Sequence, residues 1–445
     1  MNDFLNYDDS DIINEIKEQN PAVSNQFYYV SNYGHFPVYR CEGAKYYPTP
    51  NLAYKEQIEA VKKAKRFVFL EYLTIEDSVI FSELLGILKA CVLRGVEVRV
   101  IYDYFGSLAF WDKNFIKKMK VCGIDCRAFN GPGTPLAKFI MNRDHHKLMI
   151  VDNEIAFIGG YNIADEYFGV TRPYGQWQDT GFSFRKKAVK SMTVNFLYMW
   201  NMIEKTDSDI SNYVFDNKDS GEEVSESEAS ESEASEKEVS ENNVEENFAS
   251  DKDNSEAGIS PEKMGYIQPY CGNPYQKEAL VENVYLNLLK VASKFVYIIT
   301  PYLIPDKVMR KELTLAAKRG VDVRIIIPGI PDKKWLYKAT CSFLHELAGN
   351  GVRIYVYTPG FCHGKQFLCD NEIAAIGSAN IDGRAFKRDF ENSVLIYKVP
   401  ALKEMYDDFV RLFEVSEEVT EKYKSKEAAP SFVIKLLAKI FSPII

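Results

Sequence analysis

The sequence predicts an α/β protein built from two similar halves, and three observations predict it. Runs rich in Val, Ile, Phe and Tyr alternate with helical segments that stop at Arg-Gly, a common helix C-terminus. The order of those segments occurs twice. Finally, residues 144–162 (DHHKLMIVDNEIAFIGGYN) are nearly rewritten at 362–380 (CHGKQFLCDNEIAAIGSAN).

The repeat is traceable along the chain. AVKKAKRFVFL (60–70), RGVEVRVIYD (94–103) and VCGIDCRAFN (121–130) lead to the first histidine stretch. LLKVASKFVYI (288–298), RGVDVRIIIP (319–328) and GNGVRIYVYT (349–358) lead to the second. Offsets of 228, 225 and 218 residues between matching points drift slowly, as duplication with small insertions would leave them. Each half is expected to run amphipathic helix, apolar strand, helix, strand, short strand and then the repeated stretch, forming an α/β sandwich. Two such halves are expected to pack about a pseudo-dyad, bringing the repeated stretches face to face. The expected divisions are an N-terminal arm (1–44), a first half (45–215), an acidic linker (216–258), a second half (259–425) and a tail (426–445).

Charge and composition narrow the classes. Residues 216–256 hold 16 Asp/Glu against 3 Lys, so the net charge of −9 is concentrated there and the rest of the chain is mildly basic, which suits an anionic substrate or surface. With almost no large apolar residue, that segment is expected to stay disordered. The eight cysteines are scattered, with only Cys122 and Cys126 near a ligand spacing, so reduced cytosolic thiols are expected. No stretch approaches the roughly 20 apolar residues of a membrane-spanning helix. The tail SFVIKLLAKIFSPII (431–445) spaces Lys435 and Lys439 four apart on an apolar background. It reads as an amphipathic helix lying in a membrane interface.

Within the repeated stretch, His145 and Lys147, like His363 and Lys365, are two residues apart, which in a strand places both on one face. Asp-Asn-Glu at 152–154 and 370–372 reads as a hairpin turn, with Asp152 and Asp370 either reacting groups or holders of the turn. The return strands end at Asn162 and Asn380, expected beside His and Lys on the same rim. His146 falls on the opposite strand face and reads as structural, while His35 and His345 show no pattern. Arg143, Arg384 and Tyr161 are open between phosphate contact and packing.

A duplicated H-x-K-x4-D followed by G-[GS]-x-N resembles the signature of the phospholipase D superfamily. GHFPVYR (34–40), FVFLEYLTIED (67–77), GGYNIADEYFG (159–169), YGQWQDT (174–180), YLIPD (302–306), GIPDKK (329–334) and NIDGRAFKRDFENS (380–393) extend the resemblance to bacterial cardiolipin synthases over nearly the whole chain outside the acidic segment. The chain departs from that pattern at Gln178, usually Arg, at Asp389, usually Asn, and in the N-terminal membrane helices usual in the family. The resemblance implies transfer of a phosphatidyl group between two phosphatidylglycerol molecules, with glycerol released through a phosphohistidine intermediate. It implies a membrane lipid surface as partner, with no nucleic acid, and the amphipathic tail leads to the expectation of peripheral attachment on the cytoplasmic face of the cell membrane.

Residue chemistry agrees with that implication. Displacing an alcohol from a phosphodiester requires a nucleophile, an acid for the departing oxygen and donors around the non-bridging oxygens. Two imidazoles fill the first two roles, and Lys147, Lys365, Asn162 and Asn380 the third. No metal or cofactor is required, and lysines beside each histidine disfavour a metal. Each histidine needs an acceptor for its second ring nitrogen. The repeats place Asp179 and Glu391 at equivalent points, so Asp179 is expected to orient His145 and Glu391 to orient His363. The resemblance makes His145 the nucleophile and His363 the acid/base. Two other readings remain: a hydrolase of phospholipid or nucleic acid using the same intermediate, and a non-catalytic lipid-binding scaffold, which two intact motifs disfavour.

Overall fold

A computed structural model describes residues 5, 7–107, 114–131, 142–204, 210–214 and 264–425. The expectations for the acidic linker and for the tail concern residues outside that set.

The first half is organised on a sheet of seven strands: β1 (Ala44–Tyr47), β2 (Phe67–Tyr72), β3 (Glu97–Asp103), β4 (Asp125–Phe129), β5 (Lys147–Val151), β6 (Ile155–Gly159) and β7 (Gly181–Arg185), lying side by side as β1-β7-β6-β5-β2-β3-β4. The second half uses β8 (Tyr266–Gly272), β9 (Phe295–Ile299), β10 (Asp322–Pro328), β11 (Arg353–Tyr357), β12 (Gln366–Cys369), β13 (Ile373–Gly377) and β14 (Asp389–Tyr397), ordered β8-β14-β13-β12-β9-β10-β11. The two orders are the same, as the internal repeat predicts. Every residue of β2, β5, β6, β12 and β13 is buried, which is why these segments are largely apolar, with Glu71, Lys147 and Gln366 as buried polar exceptions.

Ahead of the repeated stretch, the structure adds one helix per half to the expected order. β3 and β4 are parallel neighbours, as are β10 and β11, so the chain must cross back over the sheet between them. Helices Phe115–Val121 and Lys334–Gly349 make those crossings. The hairpins joining β5 to β6 and β12 to β13 turn as expected at Asp152-Asn153 and Asp370-Asn371, all four in left-handed backbone that Asp and Asn tolerate.

The halves share a core. A long helix late in each half, Val189–Ile203 in the first and Ala401–Glu414 in the second, packs on a strand of the other, β8 and β1 respectively. Met192 of the first helix lies 4.0 Å from Cys271 of β8, sulfur to sulfur, and Tyr46 of β1 donates to Asp408 at 2.6 Å. The N-terminal arm belongs spatially to the second half. Its helices Ser10–Gln19 and Pro21–Gly34 lead to Tyr39–Arg40, which pairs with β8. The Gln268 amide donates to the carbonyls of Phe27 and Phe36, at 3.1 and 2.7 Å, and ties the arm down.

Candidate active site

The two repeated stretches meet where the halves join. His145 and His363 lie immediately before β5 and β12, and each is held by the opposite half. The His145 amide donates to the Phe390 carbonyl at 2.9 Å, and the His363 amide to the Gln178 carbonyl at 2.6 Å. Asn392 pins the start of β5, accepting from the Lys147 amide at 3.0 Å and donating to its carbonyl at 3.2 Å.

The side chains cross in the same way, and this corrects the expected pairing. His145 Nδ1 lies 2.8 and 2.9 Å from the carboxylate oxygens of Glu391, and His363 Nδ1 lies 2.7 Å from Asp179 Oδ2. Each carboxylate therefore orients the histidine of the other half. The sequence-based pairing assumed self-contained halves, whereas a pseudo-dyad running between the motifs exchanges their partners. Nδ1–H donating to a carboxylate leaves Nε2 as the basic nitrogen of each ring. Glu391 also accepts from the Ser378 hydroxyl, and Asp179 from the Thr180 amide at 2.8 Å. Gly160 occupies the place of Ser378 in the first half. A Cβ there would overlap Asp179 Oδ1 and come within 2.8 Å of the His363 carbonyl oxygen, so the close approach of the halves requires glycine.

Lys147 and Lys365 are buried, and their ammonium groups donate to the carbonyls of His145, at 2.7 Å, and of His363. Burial lowers Lys147 to about 8 and Lys365 to about 7, with Lys147 further lowering Lys365. Burial, reinforced by the lysines, also holds both imidazoles well below their ordinary value. Burial lifts Asp179 and Glu391 to about 7, against the pull of the lysines. Two imidazoles and two buried lysines thus stand together, a donor set suited to an anion.

Other expected residues fall elsewhere. Asp152 accepts from the amides of Lys65, Arg66 and Phe67, at 2.8 to 2.9 Å. Asp370 accepts from the amides of Ser293, Lys294 and Phe295, at 2.7 to 2.8 Å. Both carboxylates cap the start of the neighbouring strand at the hairpin end, roughly 17 Å along the strand from the lysines. They hold the fold and do not reach the reacting centre. Asn162 accepts from the Thr74 amide at 3.2 Å and donates to the Tyr167 hydroxyl at 2.7 Å. Asn380 is buried, and its Oδ1 has no hydrogen-bond partner among the described residues. Tyr161 packs in the core, accepting from Gln57 at 3.0 Å. His146 points to the opposite face, fully buried between Asp144 (2.8 Å) and Glu71 (3.2 Å). Burial alone would lower its imidazole, but Glu71 and Asp144 hold it well above the ordinary value.

Three aromatic residues around His363 were not singled out from sequence: Tyr167, Trp177 and Phe361, with ring centroids 5.6, 5.3 and 5.7 Å from the imidazole. Trp177 lies on the short strand Gln176–Gln178, two residues before Asp179, a spacing that could have revealed it. Gln178, one of the departures from the expected pattern, turns its amide to the Pro48 carbonyl at 2.8 Å and meets His363 through its backbone.

Comparison with known proteins agrees with this architecture. Residues 57–200 and 285–413 match the family described as "Cardiolipin synthase, PLD-like domain". An uncharacterized protein of Streptococcus mutans is 34% identical over 443 residues, covering 99% of this chain and 87% of its own length. A cardiolipin synthase of Clostridium perfringens is 30% identical over 398 residues, covering 88% of this chain and 75% of its own. The crystal structure of phosphatidylserine synthase from Haemophilus influenzae has the same fold, with a TM-score of 0.65 and 15% identity over 93% of this chain and 98% of the other. Motifs, crossed geometry and relatives converge: the chain belongs to the cardiolipin synthase family of phospholipase D-like proteins.

Proposed function

We propose that this chain makes cardiolipin from two molecules of phosphatidylglycerol through a phosphohistidine intermediate. Phosphatidyl transfer is the class of reaction that its family gives it. The observation that carries the finer reading is the pair of imidazoles, each with Nδ1 held by a carboxylate of the opposite half and each beside a buried lysine. In the first step, Nε2 of one histidine attacks the donor phosphorus and the P–O bond to glycerol breaks. The other histidine, which enters the cycle protonated on Nε2, delivers that proton to the departing oxygen. In the second step that histidine takes the proton from the terminal hydroxyl of the acceptor, whose oxygen forms the new P–O bond as the P–N bond breaks. Lys147 and Lys365 neutralise charge on the non-bridging oxygens, each worth about 3 kcal/mol if it acts like an oxyanion-hole donor.

The proposed workplace is an anionic membrane surface, bound peripherally on its cytoplasmic face. No helix among the described residues is long and apolar enough to cross a membrane. Incubation with radiolabelled phosphatidylglycerol and separation of the lipids tests the reading. Cardiolipin and free glycerol in equal amounts support it, while phosphatidic acid as the main product makes the enzyme a hydrolase.

A further inference from the structure

The pseudo-dyad is broken at one place beside the histidines. Two short parallel strand pairs cross between the halves: Arg143–Asp144 against Asp389–Phe390, and Phe361–Cys362 against Trp177–Gln178. They are equivalent in the repeat, since Arg143 precedes His145 by two residues as Phe361 precedes His363. At matching positions one pair carries Arg143 opposite Asp389 and the other Phe361 opposite Trp177, whose rings lie 4.8 Å apart. Arg384 follows Asn380 by four residues, and the residue in that place after Asn162 is Glu166. The matching positions therefore carry arginines on the His145 side, where the charge of Arg384 acts on the imidazole, and aromatic rings on the His363 side.

Asp389 organises the cationic side. Its carboxylate accepts from the Arg143 amide and from Arg384 Nε, both at 3.1 Å. It stands two residues before Glu391, the partner of His145. The Arg143 guanidinium rests on the Phe105 ring at 3.6 Å, with its Nη1 3.6 Å from Asp103. The two arginine side chains keep 13% and 20% of their surface exposed, so they are placed but not sealed. On the aromatic side the nearby cation, Lys333, is held by the Tyr302 hydroxyl at 2.9 Å and by Asp332 at 2.7 Å.

We propose that Arg143 and Arg384 seat the phosphodiester of the acceptor lipid. This deepens the reading of the chain as a cardiolipin synthase and rests on it. Joining two phosphatidylglycerols differs from hydrolysis in that the entering alcohol carries a second negative phosphodiester, only five bonds from its attacking oxygen. That group must lie beside the histidine that activates the alcohol, and guanidiniums match it in charge and in geometry. Displacement at phosphorus is in line, so the entering alcohol stands opposite the nucleophile. A seat beside His145 therefore makes His145 the acid/base and His363 the residue that carries the phosphatidyl group. This is the reverse of the order that the family resemblance implies.

Glycerol exchange separates this role from a general one. The phosphatidyl-enzyme formed from phosphatidylglycerol is resolved either by a second phosphatidylglycerol, giving cardiolipin, or by labelled free glycerol, giving labelled phosphatidylglycerol with no acceptor phosphate involved. In Arg143→Gln and Arg384→Gln the ratio of synthesis to exchange should fall at least tenfold, with Arg384→Lys recovering part of it. Equal loss of both reactions would overturn the seat and give the arginines a structural or donor-binding role. An unchanged ratio, or a trapped adduct on His145, would overturn it as well. Failure of the wild-type enzyme to make cardiolipin at all would instead overturn the reading on which the seat rests.

Discussion

Glu391, in the second half, accepts the Nδ1–H of His145, in the first, at 2.8 Å across the interface. Asp179 serves His363 in the opposite direction, so neither His145 nor His363 finds its carboxylate within its own half. The downfield Nδ1 proton resonance of His145 should disappear in Glu391→Gln and persist in Asp179→Asn, and that of His363 should do the converse. Each substitution should lower kcat by about 10³- to 10⁴-fold, as loss of an orienting carboxylate does in a triad.

Gly160 supplies a second test of the crossed geometry. In Gly160→Ala the new methyl displaces Asp179 from His363. Turnover should fall at least a hundredfold while the circular dichroism spectrum and the His145 resonance stay as in wild type. Undiminished turnover would show that the halves do not approach so closely.

Asp152 and Asp370 should behave as structural residues despite belonging to the repeated motif. Asp370→Asn loses charge-assisted bonds to three backbone amides and should cost about 2 to 4 kcal/mol in urea unfolding. The folded fraction should keep kcat within a fewfold of wild type. A loss of several orders of magnitude in kcat without loss of stability would return the residue to the chemistry.

The duplicated topology and the hairpins were legible because each rests on local periodicity or on the repeat itself. The destination of Asp179 and Glu391 was not, since spacing along the chain says which residues are equivalent but not which half they face. The parallel crossings through Phe115–Val121 and Lys334–Gly349 were missed for a different reason. Their neighbouring strands pair in parallel only in three dimensions, and that pairing is what requires a crossover. Asp152 and Asp370 share the motif with His145 and His363 because the hairpin that carries the motif needs a capped turn.

The lysines predict an alkaline limb for kcat/KM. A lysine is charged below its pKa and loses its proton as pH rises through it, so anion binding should weaken as pH rises through about 7 for Lys365 and about 8 for Lys147. Lys365→Arg, which stays charged, should be slower yet move the limb to higher pH. A limb unmoved by that substitution would assign it to another group.

Covalent capture tests the central claim most directly, namely that the composite site transfers phosphatidyl groups through a phosphohistidine. Wild-type enzyme quenched in alkali during turnover of phosphatidylglycerol, then digested and analysed by mass spectrometry, should carry at most one phosphatidyl adduct per chain, on His363. Turnover with no adduct on either His363 or His145, under conditions in which a phosphohistidine standard survives, would contradict the account.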